Sequence, residues 1–172
     1  MENYTISEKK YRAIYRLLNM VSPIDSDCGK LCGAVCCADT EDEDIGIYLM
    51  PGEEVLHERE GGWLEWDESD VEDMVYVKCP GAEHCRRDVR PIQCRTFPLM
   101  PYLSEEGELE MLYDDNELPY FCPLIEEEIP LNDSFVKATR TVWKHLLRDR
   151  RIYDMVAADS EETRRAAEDE FY

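Results

Sequence analysis

Eight cysteines carry most of the chemistry this chain of 172 residues can offer, and four of them fall within the ten positions of CGKLCGAVCC (28–37). Cys28, Cys32, Cys36 and Cys37 belong to that segment; Cys79, Cys85, Cys94 and Cys122 follow at wider spacing. Thiols so placed form disulfides, ligate metal, act as nucleophiles or simply pack. Nucleophilic catalysis calls for one thiol with a histidine base, whereas here eight thiols face three histidines, His57, His84 and His145. His57 and His145 fall on expected helices, where packing or surface roles suffice, and His84, next to Cys85, is a candidate spare ligand. The opening MENYTISEKKYRAIYRLLNM is charged along its length and has no apolar run of a secretory signal. The expected compartment is therefore the reducing cytoplasm, where clustered cysteines serve metal or catalysis rather than disulfides.

Geometry narrows the metal models. Cys28, Cys32 and Cys36 would share one face of a helix, and a packing role on that face is the simplest alternative. Gly29 and Gly33 oppose a helix there by close to ~1 kcal/mol each relative to alanine. A straight helix would also hold Cys28 and Cys36 about 12 Å apart along its axis, while two sulfurs on one zinc lie within about 4.6 Å. A shared metal thus requires a knuckle, and glycines after Cys28 and Cys32 suit one. The Cys-x3-Cys-x2-Cys signature of radical S-adenosylmethionine enzymes fails at Val35, and the spacing does not match the bacterial ferredoxin run. Neighbouring side chains in an extended segment point apart. Cys36 is therefore expected to join Cys28 or Cys32, with Cys37 turned to another metal, a cluster edge or the interior. Eight thiols suffice for two four-cysteine zinc sites or for one [4Fe–4S] cluster with four left over.

Downstream, the stretch from Cys85 to Pro98, CRRDVRPIQCRTFP, is the more specific half of the pattern. With CGKLCGAVCC it resembles the YkgJ-type cysteine-cluster family of zinc- or iron-chelating proteins, over roughly residues 28 to 123. The matching positions are Cys28, Cys32, Gly33, Cys36 and Cys37, then Cys79 and Cys85, then Arg90, Pro91, Cys94, Arg95, Phe97 and Pro98. The first segment here carries an extra residue in each gap, and only four residues separate Cys85 from Arg90. The resemblance implies a metal-binding protein holding zinc or iron. Through the cysteine-cluster regions of flagellin lysine methylases, it also implies an iron–sulfur-dependent protein-modifying enzyme as the alternative. Arg90 and Arg95 either offset the negative charge of clustered thiolates or pair with surface carboxylates. Pro91 and Pro98 stiffen the loop that presents Cys94.

The elements that must position these residues are short. Ser7 caps an amphipathic helix expected over 7–21, with Tyr11, Ile14, Tyr15, Leu18 and Val21 as its apolar stripe. The acidic DTEDED (39–44) reads as a solvated loop. Strands are expected at IGIYLM (45–50), GGWLEW and MVYVKC, with a short helix over 53–59. Residues 79–98 are too rich in proline and turn residues for regular structure. A hairpin over 99–113 turns at Glu106–Gly107. Helix returns from Asp133 to about Met155, and a final polar helix starts at Ser160. The expected fold is a single α+β domain: an irregular, metal-stapled cysteine core (28–123) between an N-terminal helix and C-terminal helices (133–170).

Acidic residues outnumber basic ones 40 to 19, for a net charge of −21. Such a surface repels nucleic acid and anionic lipid, and favours a metal ion or a basic protein as partner. An acidic interaction module with structural metal is thus a third reading. No uncharged apolar stretch approaches the ~20 residues of a membrane span.

Overall fold

The structure, a computed structural model, describes residues 4–37, 46–114, 118 and 120–170. The acidic run 39–44 lies outside them. Helix α1 (Glu8–Leu18) starts where expected, with Ser7 Oγ accepting from the Lys10 N–H at 3.3 Å. It ends three residues earlier than the apolar stripe predicts, at the Asn19 cap. The Asn19 side chain is engaged there by tertiary bonds, donating to the Asp88 carbonyl and accepting from Arg95.

Strands β1 (Gly46–Leu49), β2 (Glu65–Asp67) and β3 (Val75–Lys78) form an antiparallel sheet in the order β1-β3-β2. Leu49, Leu64 and Val77 make its small core. The expected helix at 53–59 is a single 3-10 turn, Glu53–Leu56. Strands β4 (Leu99–Leu103) and β5 (Leu109–Tyr113) form the hairpin, with Gly107 at φ 79° in its turn.

Helix α5 (Asp133–Leu146) and helix α6 (Arg150–Asp169) replace the continuous helix expected through Met155. The break comes from Asp149, buried to 1% exposure, which caps α6 by accepting from the Arg151 N–H and also accepts from the Ile6 N–H. A local cap and a link to the N-terminal segment outweigh continued helical periodicity. The principal core joins Tyr11, Ile14 and Leu18 of α1 to Val142, Trp143 and Leu146 of α5, with Ile152 and Val156 of α6. It contains no cysteine. The cysteines lie outside that cluster.

Candidate metal centre

The first cysteine segment is a knuckle. Asp27 Oδ1 accepts from the Gly29 N–H at 3.0 Å and starts helix α2, a single turn (Gly29–Cys32). Gly33 closes it in the left-handed region at φ 67°, where nothing lies within 4 Å of a would-be Cβ, so backbone conformation alone selects glycine. Gly29, by contrast, sits in the helix and not at positive φ. Ala34 follows at φ 55° and leads into a 3-10 turn over Val35–Cys37. This turn brings the Cys36 and Cys37 sulfurs to 3.9 Å from each other. The two sulfurs stay adjacent because extended alternation does not apply inside a tight turn.

The second segment is anchored from behind. Glu53 is fully buried, and its carboxylate accepts from Tyr15 Oη (2.6 Å), the Met50 N–H (2.8 Å) and the Ile92 N–H (2.8 Å). Burial pushes Glu53 up, and these three donors only partly oppose it. Tyr15 Oη also lies 2.9 Å from His57 Nε2, and burial with the nearby Arg95 charge pulls His57 down to about 4. The Ile92 N–H opens helix α3 (Ile92–Thr96), which carries Cys94 on regular structure where turn composition predicts none. Arg95 ties the same helix to its surroundings. Its guanidinium donates to the Arg90, Tyr15 and Arg87 carbonyls and to Asn19 Oδ1, at 2.6–3.1 Å, and stacks 4.7 Å over the Tyr15 ring. None of these acceptors is a surface carboxylate. Nothing in the composition singles out Glu53 among forty acidic residues; only the fold shows it as the anchor of the cysteine loop.

These anchors bring distant cysteines together. Cys28, Cys36, Cys37, Cys79, Cys85 and Cys94 line one cavity of about 740 Å³. Cys32 and the buried Cys122, at the start of helix α4 (Pro123–Glu126), are adjacent in charge rather than in the lining, since both raise the Cys28 thiol. Two neighbourhoods emerge. Cys36 interacts electrostatically with Cys28 and Cys32; Cys85 interacts with Cys79 and Cys37, and Cys94 with Cys37 and Cys79. Cys36 and Cys37 stand at the seam. Arg87 of the second segment pairs with Asp27 of the first at 2.7 Å, a half-exposed contact that aligns the loops more than it stabilises them.

The charge environment favours a thiolate at the seam. Hydrogen bonding from Cys36, followed by the positive charges of Arg90 and Arg87, draws Cys37 down to about 6, while the same bond and burial push Cys36 up. Burial raises Cys28 and Cys85. Cys94 is exposed where it lines the cavity, yet the surrounding protein desolvates its thiolate and pushes it up to about 12. Arg90 lowers Cys28, Cys37, Cys85 and Cys94 alike, and its Nε is buried with no partner among the described residues. His84 is exposed and does not line the cavity.

None of the eight cysteines is in a disulfide. Their sulfur donors suit zinc or iron by type. Among the described residues, however, no group of three or more His, Cys, Asp or Glu side chains is gathered closely enough to hold one metal ion. The thiols converge on a cavity rather than on a point. In comparisons with known proteins, no family model, no curated protein and no solved structure matches the chain.

Proposed function

We propose that this protein binds zinc or iron through its cysteine cluster, in a reducing compartment. The observation carrying this reading is convergence. Cysteines from 28–37, from 79–85 and from Cys94 line one cavity although they come from segments far apart in sequence, and Arg90 lies among them. Packing alone does not call for six thiols around an open space, since buried cysteine stabilises by filling volume. Ligation of a metal would require these thiols to draw closer than they stand, which would link ligation to the order of the surrounding loops. Arg90 then offsets the excess negative charge of thiolate ligation.

Anaerobic purification followed by elemental analysis and an absorption spectrum tests the proposal. Stoichiometric zinc without colour, or iron with visible charge-transfer absorption, is expected. A folded protein that carries neither metal and takes up neither zinc nor ferrous iron and sulfide on titration overturns it.

A further inference from the structure

The cavity holds more than thiols. Its volume, about 740 Å³, is in the range of sites for whole small molecules and far exceeds the needs of a metal ion. Tyr48, Trp63, Tyr76, Phe97 and Tyr120 supply ring surface to its wall. Two of these rings are held in place: Tyr76 packs 5.0 Å from Tyr48 and lies over Gly46, where a Cβ would meet the ring at 2.2 Å. Among the described residues, three arginines, Arg87, Arg90 and Arg95, line the cavity with one carboxylate, Asp27, which Arg87 already pairs. Trp63 and Arg90 both line the cavity, although Trp63 Nε1 and Arg90 Nε themselves are buried away from its open space and have no partner among the described residues.

We propose that this cavity binds a small planar aromatic anion, of mononucleotide size, with its ring against the tyrosine and tryptophan wall and its acidic group accepting from Arg90. Aromatic faces bind rings by offset stacking, and guanidinium donors match phosphate or carboxylate. The aromatic wall is no ligand set for zinc or iron, so the inference goes beyond the metal reading, although the two share this cavity and Arg90.

Isothermal titration calorimetry on the protein as purified, with metal content measured on the same sample, tests the proposal. The probes are AMP and 2-naphthoate, with adenosine and inorganic phosphate as controls; the first two distinguish phosphate from carboxylate as the acidic group. At least one aromatic anion is expected to bind with a Kd tighter than about 1 mM, and at least about tenfold tighter than adenosine or phosphate. Trp63→Phe and Arg90→Gln, each shown folded by circular dichroism, are expected to weaken that binding severalfold. Failure of both aromatic anions to bind overturns the proposal. So does adenosine or phosphate binding equally well, or unchanged affinity in both folded variants. A sample that carries no metal, takes up none on titration and still binds the probe leaves this inference standing while the metal reading fails.

Discussion

At Cys36 and Cys37 two adjacent thiols touch at 3.9 Å, yet their other thiol neighbours differ, Cys28 and Cys32 for one and Cys85 and Cys94 for the other. If both are ligands, Cys36→Ser and Cys37→Ser each lower bound metal measured by elemental analysis. Loss confined to Cys36→Ser assigns Cys37 to packing, and no loss in either variant refutes ligation at the seam. A second residue-scale prediction concerns Glu53, whose two oxygens serve three buried donors. Glu53→Gln places an amide N–H against one of those donors and leaves it unmade. A destabilisation of about 1–3 kcal/mol is expected in urea unfolding; unchanged stability would remove Glu53 as the anchor of the loop.

Between elements, Arg95 is the clamp that joins α3 to α1. Lysine keeps the charge but offers no planar fork to reach four acceptors in different directions. Arg95→Lys is expected to cost about 2–4 kcal/mol, read as a lower urea midpoint, and an unchanged midpoint would deny the clamp. The α5–α6 junction adds a pH dependence. Burial alone would raise Asp149, but the Arg151 side chain, its N–H and the Ile6 N–H outweigh burial and hold the carboxyl below its ordinary 3.8. A depressed folded value stabilises the protein above the unfolded value, and that stabilisation is lost as pH falls through the folded one. Asp149→Asn is therefore expected to unfold more easily than the parent at pH 7, by about 1–2 kcal/mol. The gap should close as pH drops below about 3.8; a gap that is the same at low pH would show that the ionised carboxylate is not its source.

Across the whole molecule, the principal core of α1, α5, α6 and the hairpin is free of cysteine, whereas the cysteine segments depend on short turns and a few anchors. Ligation that supplies several kcal/mol of order corresponds to roughly 10 °C in melting temperature for a chain of this size. If the cluster holds metal as proposed, stripping it with a strong chelator is expected to lower the melting temperature by about that amount while far-ultraviolet helicity at 20 °C persists, because the principal core contains no cysteine. An unchanged melting curve after verified metal removal would refute the structural coupling. Among the described residues, no helix is long and apolar enough to cross a membrane.

The periodic parts of the fold were legible in the sequence because their determinants are local. Ser7 and the stripe Tyr11, Ile14, Tyr15 and Leu18 specify α1, and alternation with turn residues specifies β1, β3 and the hairpin. The α+β class follows from those elements. Cysteine spacing likewise pointed to a tight turn at 28–37, where Gly33 takes the left-handed conformation. Tertiary structure alone decided what depends on partners distant in sequence. The end of α1 answers to Arg95, the break before α6 answers to Ile6, and Cys94 gains a helical turn because buried Glu53 accepts from Ile92. The cavity that six cysteines share with five aromatic rings belongs to the same class: it joins segments far apart in sequence, and local spacing carries no record of which loops meet.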